Sequence, residues 1–352
     1  MLLHQTDGGW ELPNFTRHER DFWQQVVQVN RGIYELLGAQ VTTLRCAAID
    51  YRAEREQVYK LYALENQNAS WAPPPGWRWF DQHAIDGLHF VAPGERSAIH
   101  EWFNWMYSDA PSDRVPWYRP GWYQEAAAWI AARLTAASIE VVGSIEQVRS
   151  WQRSAILRVA SAEGFVYFKA VPRFFAHEPR LTHALSAADP DHFPRPLAVD
   201  SRLGWLLMRD FGGTTLDKID SLPTWEAALR DFAQVQIDSI SHLSLLQKMG
   251  IATRSIEQLR RYSVDLFADR EAALPGSPAG LSDADRATLG TLQPRIGALL
   301  NDLASYRIPL TLEHGDFWPG QVIHTARSNV LSTGQIARSP IRFSACCSFL
   351  KK

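Results

Sequence analysis

The stretch Leu310-Thr311-Leu312-Glu313-His314-Gly315-Asp316-Phe317-Trp318-Pro319-Gly320-Gln321-Val322-Ile323 carries most of what the sequence says about its fold. An apolar run delivers His314-Gly315-Asp316, Pro319-Gly320 turns the chain, and Gln321 precedes a second apolar pair. A carboxylate and an amide five residues apart, on a tight loop between short strands, suit phosphoryl transfer. One group orients an attacking hydroxyl, and the other helps hold a metal on the phosphates. Asp316 also has a plainer reading, as a turn-former acting through its side chain. His314 is read as a loop-structuring residue rather than a base.

Working outward, Phe165-Val166-Tyr167-Phe168-Lys169-Ala170 is a strand that ends in a lysine, and Glu178 follows in His177-Glu178-Pro179. Taken singly, such a lysine reads as a solvated edge residue and such a glutamate as surface. Further on come Pro194-Arg195-Pro196-Leu197-Ala198-Val199-Asp200 and Gly204-Trp205-Leu206-Leu207-Met208-Arg209-Asp210-Phe211-Gly212-Gly213. Ser144–Trp151 and Ser154–Ala160 also read as strands, with a turn around Arg153. Gln124–Leu134, Thr224–Met249, Arg254–Phe267 and Ser282–Leu303 read as helices from their apolar spacing. A strand-rich block followed by a helical block implies two lobes with a cleft.

In this order the segments resemble the aminoglycoside phosphotransferase family of kinase-like enzymes, whose catalytic loop is written H-G-D-x-x-x-x-N. The sequence matches at His314, Gly315 and Asp316 and departs at Gln321, where the family has Asn. The resemblance runs from about Ser144 to Val322. It implies an α+β, bilobal protein-kinase-like fold, with a small β-rich lobe and a larger helical lobe. It also implies an ATP-dependent phosphotransferase acting on a hydroxyl of a small metabolite, with ATP and Mg2+ as cofactors. Lys169 would contact the phosphates and Glu178 would hold Lys169. Met208, Arg209 and Asp210 would present backbone groups to adenine. Asp316 would orient the substrate hydroxyl, Gln321 would offer its amide oxygen to Mg2+, and the Arg153 turn would cover the phosphates.

The family also needs a second metal-binding carboxylate shortly after this loop. From residue 317 to the end there is no Asp or Glu, although the chain carries 38 acids. The tail turns basic and Ser-rich and holds the adjacent pair Cys346-Cys347. It reads either as a divergent tail or as a truncation or change of frame after about Ile323. The alternative function is therefore a non-catalytic nucleotide-binding or scaffold pseudokinase, or a truncated fragment.

Upstream, Phe22, Val26, Val29, Ile33 and Leu36/Leu37 form one face of a helix that ends at Gly38. Val41–Tyr51 and Gln57–Glu65 read as an antiparallel pair of strands. Leu2 to Pro13, followed by a helix with Arg31, Glu35 and Gly38, resembles a Nudix domain in degenerate form. Gly32 and Leu36 stand where that family has metal-binding glutamates, and Pro13-Asn14-Phe15 replaces its P-G-G turn. The helix face is kept, but the resemblance implies no hydrolase metal site. The expected domains are 1–115 (Nudix-like), 116–210 (kinase-like N-lobe), 211–325 (helical C-lobe, incomplete) and 326–352 (a disordered tail). The Pro/Trp-rich stretch Ser112–Trp122 is the expected linker.

Composition bounds these readings. The 352 residues are 46% hydrophobic and 21% charged, enough apolar material for packed cores. Lys plus Arg is 36, giving a formal net charge of −2. A nucleic-acid binder would normally show a basic excess, so no nucleic-acid partner is expected. No apolar run reaches the ~20 residues of a membrane span, and the N-terminus lacks a signal-peptide pattern. Three cysteines make no disulfide framework, and the 11 histidines make no metal-ligand pattern. The expected setting is cytoplasmic, with a small hydroxylated molecule as partner.

Overall fold

Residues that alternate between apolar and polar become strands, and those with apolar spacing of three and four become helices. The computed structural model describes residues 1–18, 21–52, 54, 56–108, 114–268, 281–331 and 337–339. The chain is mixed α and β and divides into two units. The first comprises Met1–Ala176 with Pro196–Asp210, the second His177–Arg195 with Phe211–Lys352.

In the first unit, β1 (Leu2–Thr6) and β2 (Gly9–Glu11) form an antiparallel hairpin. Helix α1 (Val27–Leu37) buries Val29, Ile33 and Leu37 at the predicted spacing. It ends at Gly38, whose φ of +66° is the left-handed cap and whose N–H bonds the Tyr34 carbonyl at 2.7 Å. The helix starts five residues later than the apolar pattern suggests, and Phe22 is exposed. β3 (Val41–Arg52) and β4 (Gln57–Asn66) are the expected antiparallel pair. β5 (Trp77–Trp79) lies on the other side of β1 from β2, and helix α2 (Pro93–Tyr107) follows. Leu3, Ile85, Phe90, Ile99 and Phe103 form the small core of this region.

The Pro/Trp-rich stretch is not a solvent-exposed linker. Its described part begins at residue 114, and Val115, Trp117, Tyr118 and Trp122 are buried. Trp117 Nε1 donates to the Trp151 carbonyl at 2.8 Å. The prolines set a single 3-10 turn, Pro116–Tyr118, that delivers two aromatic rings to a core. Helix α3 (Trp122–Ala136) then covers a five-stranded antiparallel sheet. Its strands are β6 (Val141–Trp151), β7 (Ser154–Ser161), β8 (Gly164–Ala170), β9 (Pro196–Asp200) and β10 (Trp205–Arg209). Their spatial order is β6-β7-β8-β10-β9. Trp122, Trp129, Phe168 and Trp205 meet edge to face beneath it, with ring centroids 5.4–6.4 Å apart. Such pairs each add about 0.5–1.5 kcal/mol beyond their buried area. Gln147 fastens β6 to β3: its Oε1 accepts the Thr43 N–H at 2.7 Å and its Nε2 donates to the Thr43 carbonyl at 2.8 Å.

The second unit begins with α4 (Glu178–Ala188) and resumes at the short strand β11 (Thr214–Thr215). The predicted helix over Thr224–Met249 is broken in two, α5 (Leu222–Ser239) and α6 (Leu243–Lys248), by a 3-10 turn at Ile240–His242. The serines there make the break: Ser239 Oγ donates to the Gln236 carbonyl at 2.7 Å and Ser241 Oγ to the Asp238 carbonyl at 2.8 Å. Helices α7 (Ile256–Ala268) and α8 (Asp283–Ser305) pack on each other, and Ser282 with Asp285 forms a capping box at the start of α8. β12 (Thr311–Glu313), β13 (Val322–His324), β14 (Asn329–Leu331) and β15 (Ala337–Ser339) complete the unit. β13 lies between β11 and β14, while β12 pairs with β15. So the segment expected to be a disordered tail contributes two strands. Residues 332–336 and 340–352, with Cys346 and Cys347, lie outside the described residues. Among the described residues, no helix is long and apolar enough to cross a membrane.

Candidate active site

The loop from β12 to β13 is built on an aromatic floor. Phe317 stacks on Phe232 of α5, with centroids 4.1 Å apart at 14°. His314, 2% exposed, meets both rings edge-on at 5.6 and 6.4 Å. This burial agrees with His314 as a structural member of the loop. Gly315 then takes φ +74°, and Asp316 is exposed. A lone carboxylate held out by buried neighbours on both sides is placed to accept a hydrogen bond from an incoming hydroxyl. Pro319–Gln321 forms a 3-10 turn, in which the Gln321 N–H bonds the Trp318 carbonyl at 2.9 Å. Gln321 is half-buried there, directly before β13.

Two acids near this loop were not singled out from the sequence. Glu313 is 2% exposed and immediately precedes His314. Asp217 lies on the turn Leu216–Lys218, which packs against Pro319–Gln321, and its buried Oδ1 takes no hydrogen bond. Asp217 has no motif around it, and Glu313 is not a position of the H-G-D pattern; burial reveals them.

The loop offers few of the oxygen ligands that the Mg2+ implied by the resemblance would take. Magnesium demands near-octahedral oxygen ligands, usually one or two carboxylates beside substrate phosphates and water. Gln321 brings one neutral oxygen, and no Asp or Glu follows Asp316. Among the described residues no group of three or more His, Cys, Asp or Glu side chains could hold a metal ion.

In the first unit, Lys169 stands on β8, the middle strand of the sheet, opposite Ile156 on β7 and Leu206 on β10. The edge-residue reading is thereby excluded. Phe168 and Ala170 point into the aromatic core, so strand alternation sends Lys169 to the opposite face, where it is half-buried. Glu178, in the second unit, opens α4 and is 2% exposed, so it is no surface residue. Acids are almost never buried this far unless paired.

Part of the expected adenine-facing backbone is engaged within the sheet. The Asp210 N–H is taken by the Phe165 carbonyl at 2.8 Å, extending the β8–β10 ladder. In an antiparallel ladder such bonded positions alternate, so Met208 and Asp210 turn their backbone groups toward β8. Those of Arg209 face the other way, beyond Pro196, the β9 residue paired with Met208. Arg209 is thus the one whose backbone is directed outward, while its side chain pairs with Glu163. The β6–β7 turn at Gln152–Arg153 is tight, and the Arg153 guanidinium lies 5.8 Å from the Trp151 ring centroid.

Arg31 and Glu35 are exposed on α1. At Gly32, a Cβ would lie 2.4 Å from Phe15 Cζ. The Phe15 ring therefore fills the space beside Gly32.

No protein-family model matches this sequence, and no curated protein does. Solved structures similar to part of the chain include a macrolide 2'-phosphotransferase from Brachybacterium faecium, 17% identical, with TM-score 0.43 over 61% of this chain and 73% of that one. An aminoglycoside phosphotransferase from Streptomyces rimosus is 23% identical, with TM-score 0.37 over 63% and 81%. A choline kinase from Streptococcus pneumoniae is 10% identical, with TM-score 0.42 over 61% and 70%.

Proposed function

We propose that this chain is an ATP-dependent phosphotransferase of the aminoglycoside phosphotransferase type, acting on a hydroxyl of a small metabolite. The observation that carries the reading is Asp316, exposed on a loop whose flanking residues His314 and Phe317 are buried. Its carboxylate orients the acceptor hydroxyl and takes its proton as the phosphoryl group transfers. Lys169 supplies a positive charge to the phosphates, and the outward Arg209 backbone meets adenine. The test incubates the full chain with γ-labelled ATP and a panel of aminoglycosides, amino alcohols and sugars. Label transfer that Asp316→Asn cuts by orders of magnitude supports the reading; transfer that Asp316→Asn leaves unchanged contradicts it.

A second reading rests on the missing acids after Asp316. On this reading the chain is a non-catalytic nucleotide-binding protein. It expects ATP to bind equally with and without Mg2+ and no label to reach any acceptor.

A further inference from the structure

The loop that presents Asp316 is bolted to α5 by a buried hydrogen-bond chain that the proposed chemistry does not use. Gln236, 4% exposed, donates from Nε2 to the Leu312 carbonyl at 3.1 Å and to Glu313 Oε2 at 3.4 Å. Ser239 Oγ accepts the Leu312 N–H at 2.8 Å. Glu313 turns its other oxygen, Oε1, to the Gly315 N–H at 3.1 Å. That bond spans two residues and closes on the glycine whose left-handed φ of +74° immediately precedes Asp316.

A buried acid at this position is costly as packing, since apolar side chains such as Leu312 and Phe317 fill the same core. Its use is geometric. A side-chain oxygen bonded to a backbone N–H fixes the direction of that amide. Gln236 bonds one carboxylate oxygen, and the other accepts the Gly315 N–H. We propose that Glu313 is a positioning residue for Asp316: held by Gln236, it sets the Gly315 turn that presents the Asp316 carboxylate. The catalytic sense of this inference rests on the phosphotransferase reading, but the geometry does not.

The test uses the full chain with selective 15N-glycine labelling, as parent, Glu313→Met and Glu313→Gln. Methionine keeps the length of glutamate and has no oxygen for Gly315, whereas glutamine keeps one. The Gly315 amide should exchange about tenfold or more faster in Glu313→Met, the loss of one charge-assisted bond. Its HN–Hα couplings should lose the values of a fixed φ, and Glu313→Gln should restore most of both. Where transfer is measurable, kcat should fall in Glu313→Met with KM for ATP unchanged. Unaltered Gly315 exchange and couplings in both variants overturn the inference, as does an unchanged kcat alongside a loosened Gly315. If Glu313→Met does not fold, the Gly315 resonance in Glu313→Gln decides: a shift supports the bond and identity with the parent refutes it. A parent that transfers no phosphate counts against the phosphotransferase reading, and the Gly315 signature still decides the positioning.

Discussion

Phe317 lies flat on Phe232, and through that stack the loop carrying Asp316 is tied to α5 some eighty residues earlier in the chain. The loop's rigidity and its chemistry are therefore separable. Truncating the floor, Phe232→Ala, should cost about 3–5 kcal/mol, as for other buried aromatics. Asp316→Asn, at an exposed position, should stay within about 0.5 kcal/mol of the parent. Urea unfolding of both variants checks this. An Asp316→Asn variant as unstable as Phe232→Ala would make Asp316 a turn-former.

Gly32 and Phe15 give a second test, through a double-mutant cycle. Within α1, Gly32→Ala should gain about 1 kcal/mol from helix propensity. In the parent that gain is opposed, because the new methyl must push the half-exposed Phe15 ring aside. In a Phe15→Ala background the full gain should appear. Equal effects of Gly32→Ala in the two backgrounds would show that the ring does not cover the glycine.

Much of the first unit was legible in the sequence. The spacing of Val29, Ile33 and Leu37 before Gly38, and the paired runs ending at Tyr51 and starting at Gln57, are local patterns with one physical reading. Lys169 was legible as a strand residue, but its central place depends on which strands flank it, and pairing is not written locally. The Pro/Trp-rich stretch misled because prolines mark turns without saying whether a turn is solvated or buried. The role of Glu313 was out of reach because its partner Gln236 lies more than seventy residues away in sequence and meets it only in the fold.

Cys46 yields a pH prediction. Burial pushes its thiol up to about 11, against the opposing pull of Lys60 and Arg45. A raised pKa means that the folded state holds the proton after an unfolded thiol, near 8.5, has lost it. Its contribution to stability is therefore full below about pH 8.5 and is lost as pH rises through about 11. In a Cys346→Ser, Cys347→Ser background, iodoacetamide at pH 8.5 should alkylate the folded chain about tenfold or more slowly than the urea-unfolded chain. Equal rates would show that the thiol is neither buried nor shifted.

On the proposed reading, Lys169 acts on the nucleotide and Asp316 on the acceptor hydroxyl. Calorimetric titration of the full chain with ATP tests it most directly, using the parent, Lys169→Ala and Asp316→Asn side by side. Measurable binding by the parent is expected, weakened about tenfold or more in Lys169→Ala through loss of a phosphate-directed charge. An affinity within about twofold of the parent is expected for Asp316→Asn, because that carboxylate acts on the acceptor hydroxyl. No binding by the folded parent, or binding that Lys169→Ala leaves untouched, would contradict it.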